Sequence, residues 1–204
     1  IEKDWKTGYI PLRRTTPYAQ PVSKNNEGVI ARLDSSLVQW AYNLTKDMEL
    51  PDNEEIKGMR EQYKGYPAAT MKPHVLIGDQ LAAATYWHGE LLNEWANDWV
   101  EYWSEGQGNF VTSAMEEMGV YHALDRLHKA KKVDKNRLLV LRTASNFTMQ
   151  YPGITAYQSL SGEKLTGKGY SAYIPSLEAA YMVGSPVVKE LCNNWEKYEQ
   201  TMPK

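Results

Sequence analysis

The spacing of apolar and polar positions changes character several times along this chain, and the changes mark its elements. Leu37, Trp40, Ala41 and Leu44 recur at intervals of three and four, which predicts a helix from a cap at Asp34 or Ser35 to about Met48. Pro51 ends it, and Asp52 or Asn53 starts a second helix to about Tyr63. Residues 65–73 read as a loop and 74–78, His-Val-Leu-Ile-Gly, as a short buried strand. Helical spacing returns at 88–103, where Leu91, Leu92, Trp95, Trp99 and Trp103 fall on one side, a stripe suited to a core or a subunit interface. Gly106 and Gly108 end that helix.

The most informative stretch is 109–147. Two apolar runs, 110–112 and 138–141, read as strands, and between them 116–131 has helical spacing with Tyr121, Leu124 and Leu127 on one face. Strand, helix, strand over this length predicts a βαβ unit with parallel strands, adjacent or near neighbours. Residues 147–169 then form a long loop with Pro152, Gly153, Gly162, Gly167 and Gly169, in the position of a flap. From about Pro175 two helices close the chain, broken near 184–186, Gly-Ser-Pro. Their faces use Leu177, Ala180 and Tyr181, then Val187, Leu191, Trp195 and Tyr198. Residues 1–30 have no sustained period; they are expected to be extended, with turns at Pro11, Pro17 and Pro21 and with Trp5 and Tyr9 as packing anchors. Residues 31–204 form the body of one α/β domain.

Composition narrows the function. The 204 residues carry a net charge of −2 with no long basic run, which argues against a nucleic-acid surface. The single cysteine, Cys192, excludes a disulfide within the chain. No apolar run approaches the ~20 residues that span a bilayer, and the chain contains no signal peptide. The four histidines lack metal-ligand spacing, so neither metal nor thiol chemistry is assigned. Asn43-Leu-Thr45 is an N-glycosylation sequon, as formally is Asn146-Phe-Thr148.

Polar residues gather where the two predicted strands end: Ser113, Met115 and Glu116 after the first, Arg142, Ser145 and Asn146 after the second. Ligands bind at the carboxyl ends of strands in open α/β sheets. A carboxylate such as Glu116 can accept from two vicinal hydroxyls, and an amide such as Asn146 offers a donor and an acceptor together. Each residue also has a plain structural use. Glu116 sits where a helix N-terminus favours negative charge, and Arg142 suits a salt bridge at a strand end.

The segment Ala-Met-Glu-Glu-Met-Gly (114–119) resembles the Met-Glu segment of nucleoside phosphorylases, and Arg-Thr-Ala-Ser-Asn (142–146) their Arg-Gly-x-Ser-Asp/Asn segment. The closer resemblance is to the purine nucleoside permeases of fungi and bacteria, a family similar to the phosphorylases in fold. It is carried by Trp-Lys-Thr-Gly-Tyr-Ile-Pro-Leu (5–12), Gly-Asp-Gln-Leu (78–81), Tyr-Trp-His-Gly (86–89), Trp-Ala-Asn-Asp-Trp (95–99), Leu-Arg-Thr-Ala-Ser-Asn-Phe (141–147) and the segment 172–188.

The resemblance implies a three-layer α/β/α fold with a mixed central sheet, of which this chain supplies the C-terminal portion, incomplete at the N-terminus. A companion N-terminal segment of the same protein would then supply the remaining strands, and a homo-oligomer is a further arrangement left open. The resemblance also implies a purine nucleoside ligand. By the resemblance Met115 packs under the ribose, Glu116 accepts from its hydroxyls, Tyr86 and Trp87 are candidates for stacking on the purine, Asn146 faces the base, Arg142 orients Asn146 or its loop, and Ser145 joins the substrate-binding set; Glu117 is the less certain neighbour of Glu116. Asn146 cannot act as a general acid, which separates it from the Asp-bearing phosphorylases. The phosphate-holding loop of phosphorylases has no counterpart here, and Arg13 and Arg14 are poor substitutes. Phosphate stays open only as a co-substrate, and no cofactor is called for. Function is thus either nucleoside binding for uptake or cleavage of the N-glycosidic bond by phosphorolysis or hydrolysis. The alternative is an inactive secreted, storage or interaction protein. The expected location is extracellular, cell-wall or periplasmic.

Overall fold

The computed structural model describes residues 29–165 and 172–204. The expectations for residues 1–28, including the motif at 5–12, and for Gly167 and Gly169 lie outside the described residues. In chain order the elements are α1 (Ser35–Thr45), α2 (Glu54–Arg60), α3 (Pro67–Thr70), β1 (Asp79–Ala82), α4 (Glu90–Ser104), β2 (Phe110–Ala114), α5 (Glu117–Lys129), a 3-10 turn (Lys135–Arg137), α6 (Ala156–Leu165), α7 (Tyr173–Asn193) and α8 (Trp195–Gln200). They divide between two compact units. Among the described residues one comprises Gly78–Lys135 with residues 29–32; the other comprises Leu33–Ile77 and Asn136–Lys204. The class is mixed α and β, with a two-stranded parallel sheet among the described residues.

The first unit is a βαβ unit, but it stands one element earlier than the spacing predicts. β1 pairs with β2 in parallel, Gln80 opposite Thr112 and Ala82 opposite Ala114, with α4 as the crossover. The ladder starts at Asp79. Its N–H donates to the Asn109 carbonyl at 2.7 Å, and its carboxylate accepts from the Asn109 N–H at 2.7 Å. A register irregularity follows between Asp79 and Gln80. Residues 74–78 therefore precede the strand instead of forming it, and Leu76 and Ile77 are exposed. Gly78 is required for close approach: a Cβ there would lie 2.2 Å from Val111 Cγ2.

α4 packs on β2. Its tryptophans form a ladder of tilted rings, Trp95 to Trp99 at 5.1 Å and Trp99 to Trp103 at 5.8 Å. The stripe runs from 81 % exposure at Leu91 to burial at Trp103, beside the fully buried Ala96. Termination departs from the glycine expectation by one residue. Glu105 itself takes the left-handed position, φ 58°, and Gly106 follows with its N–H on the Glu101 carbonyl at 2.8 Å. Within α5, Asp125 receives Lys129 at 2.8 Å, and Lys135 from the 3-10 turn beyond it at 2.5 Å. These ammonium groups, hydrogen-bonded to it, hold the Asp125 carboxyl down at about 2. The same bond pushes Lys135 up.

In the second unit the Asp34 carboxylate caps α1 by accepting from Ser36 and Leu37 N–H. Leu37 and Trp40 then meet Tyr198, with Ala41, Leu139, Val187, Leu191 and Met202 around them. Trp40 and Tyr198 pack edge to face at 5.6 Å. Several expectations are corrected here. The run 138–141 is not a strand: among the described residues it enters no ladder, Leu139 is spent on this core, and Val140 and Leu141 are exposed. Gly184-Ser185-Pro186 does not break the closing helix, because α7 runs through it. Pro186 brings no N–H to the ladder, and Ser185 Oγ donates to the neighbouring Tyr181 carbonyl at 2.5 Å. α7 also rotates its buried side onto Ala172, Ser176 and Val183, leaving Leu177 and Tyr181 exposed. Finally, the long loop at 147–169 contains α6, and the loop at 65–73 contains α3.

Two measurements check these assignments. Gly78→Ala should destabilise the protein by about 1–3 kcal/mol through overpacking on Val111, and Val111→Ala should restore part of the loss; thermal melting of the two single variants and the double reads both. Asp125→Asn should lower the melting temperature at neutral pH. A depressed carboxyl adds stability above its unfolded value of 3.8 that is lost as pH falls through about 2. The difference from wild type should accordingly persist at pH 5 and shrink between about pH 4 and pH 2. A gap that stays constant down to pH 2 would show that the two lysines are not its origin.

Candidate functional site

In the first unit the candidate residues gather on two loops that leave the sheet together. β1 and β2 are parallel, so their carboxyl ends, Ala82 and Ala114, lie side by side. The pairing continues one step further, with Ala83 N–H on the Ala114 carbonyl at 2.7 Å. The loop after β1 carries Tyr86 and Trp87; the short connection after β2 carries Met115 and Glu116 and opens directly into α5 at Glu117. Trp87 is half-buried, and its Nε1 donates to Ser113 Oγ at 3.2 Å, which ties the first loop to the second strand. Its ring lies 6.4 Å from Phe110. Tyr86, Met115 and Glu116 are exposed. Glu117, the less certain of the two carboxylates in the sequence, is the half-buried one and accepts from Gln80 Nε2 at 2.5 Å.

The other three candidates, Arg142, Ser145 and Asn146, belong to the second unit. Arg142 is exposed, while Ser145 and Asn146 are half-buried. Ser145 Oγ donates to Asn146 Oδ1 at 3.1 Å, and Asn146 Nδ2 donates to the Phe147 carbonyl at 3.1 Å. Both ends of the amide thus have local partners, and its orientation is set within its own loop. That loop is held from below by Tyr63. The Tyr63 ring lies 3.9 Å from Phe147 and 6.0 Å, edge-on, from Tyr151, and its hydroxyl donates to the Met149 carbonyl at 2.8 Å. Tyr63 is buried although the sequence places it only at the end of a helix; the signal that could have found it is an aromatic just past an amphipathic turn. Gln80 was likewise passed over, although strand alternation sets it on the face opposite the buried Leu81.

The sequon at Asn43 lies on the exposed side of α1, but Thr45 is buried and its hydroxyl donates to the Ala41 carbonyl at 2.9 Å. Among the described residues no group of three or more His, Cys, Asp and Glu side chains stands where it could hold a metal ion. No described helix is long and apolar enough to cross a membrane.

Comparison with known proteins gives the family of the chain. The model of the purine nucleoside permease family matches residues 1–203, and the chain belongs to that family. A purine nucleoside permease of Candida albicans is 26% identical over 194 residues, covering 95% of this chain and 46% of that protein. A protein of Schizosaccharomyces pombe described as a probable purine nucleoside permease is 25% identical over 179 residues, 88% of this chain and 49% of that one. The chain spans about half the length of the curated relatives it matches. No solved structure matches. The expected extracellular, cell-wall or periplasmic location is overturned by these matches, since the family and both relatives carry the name permease, which denotes a membrane transporter.

Proposed function

We propose that this chain recognises a purine nucleoside as part of a permease that takes such nucleosides up. The observation that carries the reading is the pair of loops at the carboxyl ends of β1 and β2. One offers the flat π faces of Tyr86 and Trp87; the other offers an apolar side chain, Met115, next to the carboxylate of Glu116. A nucleoside has those two halves, an aromatic base and a sugar with vicinal hydroxyls. Glu116 is assigned the hydroxyls, which a carboxylate can accept in pairs. Met115 is assigned the sugar's apolar face and the two aromatics the base. In the second unit, on the chemistry of its amide, Asn146 is assigned a 6-oxopurine edge, with Ser145 and Arg142 orienting it. To engage a ligand in this way the amide exchanges its local bonds, a donor and an acceptor, for equivalent ones.

A second reading concerns the surroundings of that second unit. It presents two apolar runs that enter no ladder among the described residues, Leu76-Ile77 and Val140-Leu141, all four side chains exposed. Uncovered strand edges and apolar faces are a liability. We propose that a companion segment of the same protein pairs with them and completes a three-layer, phosphorylase-like α/β/α sheet. Amide exchange reports this: the N–H groups of residues 75–77 and 139–141 should be protected in the intact protein, and fast exchange there would count against paired strands.

The nucleoside reading is tested by calorimetry on the intact protein. Glu116→Ala should weaken inosine binding by roughly 1–3 kcal/mol, the range for charge-assisted hydrogen bonds, and should leave free hypoxanthine nearly unchanged. Equal losses for nucleoside and base would remove Glu116 from the sugar. Asn146→Asp should shift the preference between inosine and adenosine, because the amide donor is lost; a wild type that prefers adenosine would remove Asn146 from the base. Free hypoxanthine appearing in the inosine samples, with or without phosphate, would replace uptake by cleavage.

A further inference from the structure

Gln80 occupies the second position of β1, opposite Thr112. Side chains alternate along a strand, so Gln80 and Thr112 share one face of the ribbon while Leu81 and Ser113 share the other. On its face Gln80 reaches the first turn of α5, where Nε2 donates to Glu117 Oε2 at 2.5 Å, between residues 37 apart in sequence. The bond is charge-assisted. It also fixes which way the amide points, since the turned-over amide would set oxygen against oxygen. The remaining end, Oε1, is buried and meets no donor among the described residues. A buried acceptor without a donor is costly, and in native proteins such an atom marks strain or a bound partner. Here it stands beside a half-buried carboxylate that begins directly after Met115 and Glu116.

We infer that Gln80 and Glu117 form an amide–carboxylate pair that selects ribonucleosides over deoxyribonucleosides. The inference rests on the nucleoside reading given above. Gln80 is a positioning residue through Nε2, which holds Glu117 as an acceptor, and a specificity residue through Oε1, which accepts one sugar hydroxyl. A sugar lacking that hydroxyl leaves Oε1 buried and unsatisfied, and a site built to hydrogen-bond a hydroxyl rejects the analogue without it. Glu116, exposed on the loop, also accepts sugar hydroxyls, and the share of the discrimination owed to Gln80 is the part lost in Gln80→Leu.

The test uses the intact protein with inosine, 2′-deoxyinosine and 3′-deoxyinosine in titration calorimetry, at pH values from about 5.5 to 8. Wild type should bind inosine at least about tenfold more tightly than one of the deoxy compounds, with little change across this range. Gln80→Leu should lower the ratio for that compound at least about fivefold, mainly by losing inosine affinity. Gln80→Glu sets two carboxylates against each other, and such a pair retains one shared proton to a raised pKa. The shared proton replaces the amide hydrogen below that pKa and is gone above it. Inosine affinity of Gln80→Glu should therefore fall as pH rises, and more steeply than the affinity for the discriminated deoxy compound, a split that a purely structural glutamine would not produce. If Gln80→Leu fails to fold, the pH profile of the nearly isosteric Gln80→Glu decides. Ratios unchanged in Gln80→Leu, or equal losses for all three nucleosides with a flat pH profile in Gln80→Glu, overturn the inference while nucleoside binding stands. A wild type that binds none of the three overturns the nucleoside reading and the inference together.

Discussion

Everything in the first unit follows from where the parallel ladder begins. Two bonds at 2.7 Å, both linking Asp79 with Asn109, start it. Parallel strands cannot be joined by a tight turn and need a crossover, so α4 and its tryptophan ladder lie between them in sequence. Starting at Asp79 also decides where the strands stop. The ladder closes at Ala83 and Ala114, and the chain is released on both strands at the same level. Trp87 and Glu116 are brought to one end of the sheet by that shared stopping point. Gly78 belongs to the same constraint, because the approach to Val111 leaves no room for a Cβ at the first residue of the unit.

The second unit is organised by aromatic contacts instead. Tyr198 closes the core of α1 and α7, and the backbone around it is clamped by Arg137, which donates to the Tyr198 and Glu199 carbonyls at 2.8 and 3.0 Å. Its hydroxyl is satisfied by Glu190 at 2.8 Å, so the ring can be buried without an orphaned polar atom. Tyr63 works in the same way under the Asn146 loop. In both places a tyrosine supplies apolar area and one directed bond; under Asn146 this fixes a stretch of chain that has no regular secondary structure of its own.

Much of this was legible in the sequence, and the misses share a cause. Caps and helical spacing place α1, α2, α4 and α5 within a few residues, since those signals are local. The strand assignments at 74–78 and 138–141 fail because an apolar run says only that a segment can be buried, not what it pairs with. Val-Leu-Ile and Leu-Leu-Val-Leu have the composition of strands, whereas Asp79-Gln80, which does pair, has poor strand propensity and is held by a side chain–backbone bond no spacing reveals. Pro186 misleads in the opposite direction: its local rule is overridden by burial along a 21-residue helix. Met115 and Glu116 do follow the end of a strand, because that placement needed only the end of 110–112 and not its partner.

What the sequence could not order is the pair Glu116 and Glu117. The two carboxylates are adjacent, yet a helix start turns successive side chains by about 100°, so they meet different surroundings. The turn leaves Glu116 exposed and Glu117 half-buried against Gln80. An exposed carboxylate keeps much of its water and can exchange it for a ligand. A half-buried one has already exchanged water for a fixed donor, so it offers a ligand fewer lone pairs in a defined direction. Adaptable capture and directional selection are different demands, and two neighbouring glutamates at the start of one helix can meet both because the helical turn gives them different surroundings.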